Sequence, residues 1–144
     1  MPYLLDTNVV SEAIKPRPEP RVLTWLAAQP GSAIYLSVLT LGELEQGIAR
    51  SPHPLRAARL ARWLEEEVLP RFRDRLLVVD VPVMKTWGKI TGRALVEGRP
   101  TGYVDSLLAA TAIVHGLTLV TRNTADVAAL PVRTINPWDE GETS

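Results

Sequence analysis

The chain has 144 residues, sixteen basic and sixteen acidic side chains that balance to a formal net charge of +0, and no cysteine. That length suits one domain with a real core, and the missing cysteines exclude disulfides and thiolate metal sites. The charge balance excludes a global cationic field, so any nucleic acid must be met by a local basic patch.

The first apolar run, Tyr3 to Leu5, predicts a short buried strand ending at Asp6. A helix from about Asn8 to Ile14 follows, with Thr7 or Asn8 as its N-cap. Pro16, Pro18 and Pro20 force an extended connector, and a helix from Pro20 to Gln29 ends at Pro30-Gly31. Ala33 to Leu36 reads as the second strand, with Ser37 capping a helix over 38–50. Residues 54–69 carry Ala57, Leu60, Trp63, Leu64 and Val68 at helical spacing, with Arg56, Arg59 and Arg62 opposite.

Leu76 to Val81 predicts the clearest strand. Pro82 opens a helix that runs to Glu97, and another runs from Tyr103 to His115 with Gly116 at its end. Strands at Thr118–Thr121 and Val132–Ile135 flank a short helix at Val127–Leu130. The order, β-α-α-β-α-α-β-α-α-β-(short α)-β, predicts an α/β fold with a central parallel sheet of about five strands and helices on both faces. The domain is expected over residues 1–138, and 139–144 as an acidic, polar, disordered tail. No apolar run approaches the roughly 20 residues needed to span a membrane. The N-terminus lacks the charged region of a secretory signal and the chain reads as complete; a cytoplasmic home, compatible with the missing cysteines, is the expectation.

Four polar sites stand at the edges of these elements. They are Asp6 in LLDTNVVSE, Glu43 in LTLGELEQG, Asp105 in YVDSLLAATA, and Asn123 with Asp126 in LVTRNTADV. Burying an unpaired carboxylate costs several kcal/mol or more, so acids beside apolar runs need something to neutralise them. Three converging carboxylates favour a divalent cation, the composition of a phosphoryl-transfer site. Ligands of open parallel sheets bind at the carboxyl ends of the strands, and Asp6, Arg122 and Asn123 directly follow two of them. Taken singly, each acid has a plainer role. Asp6 can cap the first helix, Asp105 can complement a helix dipole, Glu43 can be a solvated charge, and Asp126 can cap the short helix.

These blocks, in this order and over nearly the whole chain, resemble the PIN domain. More specifically, they resemble the ribonuclease toxins of VapC/FitB type from prokaryotic toxin–antitoxin pairs, and INPWD near the end is similar to FitB-like members. The resemblance implies an endoribonuclease dependent on Mg2+ or Mn2+, with metal ligands at Asp6 and Asp105 and the third acid at Glu43. Thr7, Asn8 and Ser11 belong to the first block and are expected to support Asp6. The fourth acidic position is occupied by Asn123, a departure from the pattern, and Asp126 is the nearest substitute. Thr121 and Arg122 lie beside the site, where Arg122 can contact a phosphate bidentately or form a surface salt bridge. The family also implies a homodimer and a small DNA-binding antitoxin that pushes a basic side chain into the acidic pocket.

Two other readings compete. A phosphatase using Asp6 as phosphate acceptor would want a second aspartate two residues on, where this chain has Asn8. A non-catalytic RNA- or protein-binding module on the same fold draws support from Asn123.

Overall fold

All strand pairings are parallel, in the order β3-β2-β1-β4-β5. The computed structural model describes residues 2–139, so of the expected tail only Asp139 falls among the described residues. The strands are β1 (Tyr3–Leu5), β2 (Ile34–Ser37), β3 (Leu76–Leu77), β4 (Thr118–Val120) and β5 (Thr134–Ile135). The helices are α1 (Thr7–Glu12), α2 (Pro20–Ala27), α3 (Val38–Ala49), α4 (Pro54–Trp63), α5 (Leu69–Phe72), α6 (Val81–Val96) and α7 (Tyr103–His115). The chain winds outward from β1 through β2 to β3, then returns to place β4 on the other side of β1. The topological switch point therefore lies between β1 and β4, where a parallel sheet opens a crevice at its carboxyl edge.

Period-2 alternation splits the core between the two faces of the sheet. Leu5, Ile34, Leu36 and Val120 pack with Val9, Val22, Trp25, Leu64, Val68 and Phe72 on one face. Leu4 and Leu119 pack with Ala94, Leu108, Ala109 and Ala112 on the other. Trp25 meets Tyr3 edge to face at 4.9 Å between ring centroids. Residues Ser106 to Ala112 of α7 are all buried. The two hydroxyls in that run bond back into the helix, Ser106 Oγ to the Gly102 carbonyl at 2.7 Å and Thr111 Oγ1 to the Leu107 carbonyl at 2.8 Å. Gly116 ends α7 at φ 68°, a left-handed conformation that costs glycine little.

Several sequence expectations shift. The expected Leu76–Val81 strand shrinks to two residues, because β3 is an edge strand paired only with β2 and Val78 is 56% exposed. Asp80 turns the chain away, its carboxylate accepting from the Val83 amide at 3.2 Å to cap α6. The expected 54–69 helix widens into a π-helical segment at Leu64–Val68 before α5. Pro70 is the reason: it has no amide hydrogen for the Glu66 carbonyl, and its ring crowds that carbonyl. The expected short helix at Val127–Leu130 is instead a 3-10 turn at Thr124–Val127, so Asp126 lies within it and does not cap a following helix. The N-cap of α1 is Asp6, not Thr7 or Asn8: its backbone is extended and its carboxylate accepts from the Thr7 amide.

Candidate active site

The β1–β4 register sets Leu5 opposite Val120, which leaves Asp6 and Thr121 side by side at the carboxyl edge. The Asp6 amide continues the pairing to the Val120 carbonyl at 2.9 Å. Thr121 Oγ1 then donates to Asp6 Oδ2 at 2.7 Å, a buried bond between residues 115 apart in sequence. Asp6 Oδ1 accepts from the Thr7 amide at 2.7 Å, and Asn8 Nδ2 approaches Oδ2 at 3.4 Å. Only 6% of Asp6 is exposed. Burial pushes its carboxyl pKa up, the bonds from Thr121 and Thr7 pull it down, and repulsion from Asp126 pushes it up again, with a net rise.

Thr7 joins a second acid to the first. Its hydroxyl donates to Glu43 Oε1 at 2.5 Å and lies 3.3 Å from the hydroxyl of Thr40 on the same helix as Glu43. Glu43 is thus half-buried and tethered, not a free solvated charge. Thr40 is fully buried, and sequence reasoning passed over it because a threonine inside an apolar helix carries no signal of its own.

Asp105 reaches the same place from α7. Its carboxyl pKa is raised by burial first, and then by repulsion from Asp6, Asp126 and Glu43. Gly102, the N-cap of α7, makes room for it: a Cβ added there would stand 3.2 Å from Asp105 Oδ2. Trp87 anchors this end of the helix, its indole donating to Ser106 Oγ at 2.9 Å and its ring meeting Tyr103 edge to face.

The fourth corner divides between two residues. Asp126 is exposed, yet its charge is felt by both Asp6 and Asp105. Asn123 is also exposed and engages through its backbone, the amide donating to Thr121 Oγ1 at 3.0 Å. Arg122 lies with its guanidinium 5.2 Å over the Trp138 ring and forms no salt bridge among the described residues. Its amide approaches Asn8 Oδ1 at 3.5 Å, and its carbonyl accepts from Asn136 at 3.2 Å. Ser11 has no hydrogen bond to Asp6 among the described residues; it lines a cleft beyond Thr7 and Glu43.

Glu12, in the same DTNVVSE block, is buried and carries a role the motif did not suggest. Its Oε2 accepts from the Glu19 amide at 2.8 Å, and Lys15 Nζ lies 2.9 Å from Oε1. The Lys15 contact is the main cause that holds its carboxyl below the usual carboxylate range, and Arg122 adds to it. Glu12 therefore ties α1 to the proline-rich connector before α2.

The carboxylates of Asp6, Glu43, Asp105 and Asp126 offer the oxygen donors that suit a hard cation: the pKa values of two of them, Asp6 and Asp105, are pushed up by burial and repulsion, and among the described residues none of the four has a salt-bridge partner. Among the described residues no three acidic or imidazole groups are gathered tightly enough to enclose an ion directly. No described helix is long and apolar enough to cross a membrane.

The PIN domain model matches residues 3–129. The chain is 38% identical to a VapC ribonuclease of Sinorhizobium fredii, with 94% of this chain and 97% of that protein covered. It is 38% identical to Toxin FitB of Neisseria gonorrhoeae, with 95% and 99% covered. A solved structure described as FitAB bound to a DNA fragment superposes with a TM-score of 0.90 at 36% identity, covering 95% of this chain and 96% of that one. A family model over most of the chain and relatives matched along nearly their full length agree with the carboxyl-edge geometry, and the chain belongs to the PIN domain family.

Proposed function

We propose that this chain is the ribonuclease toxin of a toxin–antitoxin pair, hydrolysing RNA phosphodiester bonds at the carboxyl edge of its sheet in the cytoplasm. The observation that carries the reading is the mutual repulsion among acids near the switch point: Asp105 feels the charges of Asp6, Asp126 and Glu43, and the carboxyl pKa values of Asp6 and Asp105 are both raised by burial and repulsion. The ribonuclease and toxin names of its relatives support the same reading.

Asp6 and Asp105 would hold a divalent cation, Mg2+ or Mn2+, with Glu43 joining directly or through water. When bound, such a cation supplies a water of lowered pKa and offsets charge at the phosphorus. The chain's own contribution is position. Thr121 and the Thr7 amide fix Asp6, and the Thr7 hydroxyl fixes Glu43, so neither carboxylate must be ordered when substrate arrives. Asp126 supplies the negative charge that the amide of Asn123 lacks. Arg122, resting on Trp138, offers a guanidinium to a phosphate oxygen beside the site. Asn8 bridges the two edges, touching Asp6 on one side and the Arg122 amide on the other. A small DNA-binding antitoxin is the partner, and two copies of the chain form the toxin dimer; the DNA-bound FitAB structure supports the first of these.

The test is cleavage of RNA with Mg2+ or Mn2+ by the purified chain, set against Asp6→Asn. The variant should lose cleavage and keep the parent's circular dichroism. Absence of cleavage with either metal would overturn the nuclease reading and leave a binding module.

A further inference from the structure

A second feature opens directly off the acidic site. A cleft of about 370 Å³ lies between α1, α3 and α4, and Thr7 and Glu43, which also belong to the acidic site, are part of its lining. Its other walls carry the opposite charge: Lys15 beyond α1, Arg50 at the end of α3 and Arg56 near the start of α4. Lys15 is steadied by Glu12 at 2.9 Å. Arg50 and Arg56 are exposed and form no salt bridge among the described residues. Gly47, one helical turn beyond Glu43, leaves the floor open, since a Cβ there would meet nothing within 4 Å. Leu60 and Trp63 give one wall an apolar surface.

Carboxylates repel a polyanion, so a site built on them needs cations nearby to hold its substrate. A chain with no net charge must place those cations locally. A strand with one phosphate at the carboxylates and its next nucleotides beyond Thr7 and Glu43 enters the cleft. An acidic peptide has less reason to lie there, because Glu43 is part of the lining and the acidic site adjoins it. We propose that the cleft is a backbone subsite for single-stranded RNA, in which Lys15, Arg50 and Arg56 contact phosphates flanking the scissile one. The proposal rests on the nuclease reading of the acidic site.

The test uses the full chain in the Asp6→Asn background, which permits binding without cleavage. A fluorescein-labelled, unstructured oligoribonucleotide is titrated over a range of salt concentrations against Arg50→Gln/Arg56→Gln and the triple variant with Lys15→Gln. Affinity should fall, and the slope of log K against log salt should become shallower by about 0.7 for each single-strand phosphate that no longer meets a cation. The slope therefore falls by about 1.4 in the double variant and about 2.1 in the triple. Arg50→Lys/Arg56→Lys should keep the slope, and melting temperatures confirm that each variant folds.

Unchanged affinity and slope in the triple variant would overturn the subsite. So would unchanged RNA binding with weakened binding of the cognate antitoxin, which would assign the cleft to the protein partner. Cleavage by the parent chain is scored separately. A parent that cleaves while the triple variant binds normally sinks only the subsite. A parent that never cleaves sinks the nuclease reading, while a shallower slope in the variants still supports RNA binding in the cleft.

Discussion

Replacing Asp105 with asparagine should stabilise the metal-free protein while removing its activity. The carboxylate is half-buried, faces three other acids and accepts no hydrogen bond among the described residues, so its charge has little to offset it. The positive end of α7 returns roughly 0.3–1 kcal/mol of that cost. Partial exposure to solvent screens the remainder, and the net gain from an uncharged amide of the same shape is about 1 kcal/mol. For a chain of this length that is a rise of about 3–5 °C in melting temperature.

The sign of the pH dependence follows from the raised pKa of Asp105. Below the unfolded-state pKa, about 3.9, the side chain is protonated in both states and the penalty is absent. As pH rises through that value and then through the folded pKa, the charge is forced into the site and the parent loses stability relative to the variant. The assay is thermal melting of both proteins in EDTA from acid to neutral pH. The two curves should meet in acid and diverge upward. Millimolar Mg2+ should raise the parent more than the variant and narrow the gap. A variant that melts at or below the parent at neutral pH in EDTA would refute the reasoning, as would a difference independent of pH.

Three further outcomes follow. Thr121→Val keeps the shape but removes the donor to buried Asp6 Oδ2, and it should cost about 1–3 kcal/mol by chemical denaturation together with most of the activity. Thr7→Val should lower the cleavage rate sharply by releasing Glu43, whereas Thr7→Ser, which keeps the hydroxyl, should retain most of it; equal loss in both would exclude the tether as the cause. Gly102→Ala should fold normally, since φ −65° and ψ 149° suit alanine, yet lower the cleavage rate about tenfold because the new Cβ crowds Asp105 Oδ2 at 3.2 Å; an unchanged rate would show that the Asp105 carboxylate yields freely.

What could be read from the chain was what local chemistry dictates. Asp6 and Thr121 could be placed at strand ends because apolar runs stop beside them, and α7 could be placed from its uncharged run and Gly116. The length of β3 could not, because Leu76 to Val81 is largely apolar and only the sheet decides that it is an edge. The π-helical segment was signalled by Pro70, yet the regular spacing of Leu60, Leu64 and Val68 masked it. The Thr7–Glu43 and Glu12–Glu19 bonds join residues whose partners only the packed helices supply. The fourth corner was legible as a pair of residues, but the curl of the Thr124–Val127 turn was needed to bring Asp126 into the field of Asp6 and Asp105.

The bond between Thr121 and Asp6 also sets a timetable for synthesis. Its two residues are 115 apart, so they meet only after most of the chain has left the ribosome. A nascent chain that ends before β4 carries Asp6, Glu43 and Asp105 but lacks both the strand that fixes Asp6 and the segment bearing Asp126. Premature termination before β4 should therefore release a fragment without cleavage activity, and the complete site forms only at the last stage of each round of synthesis.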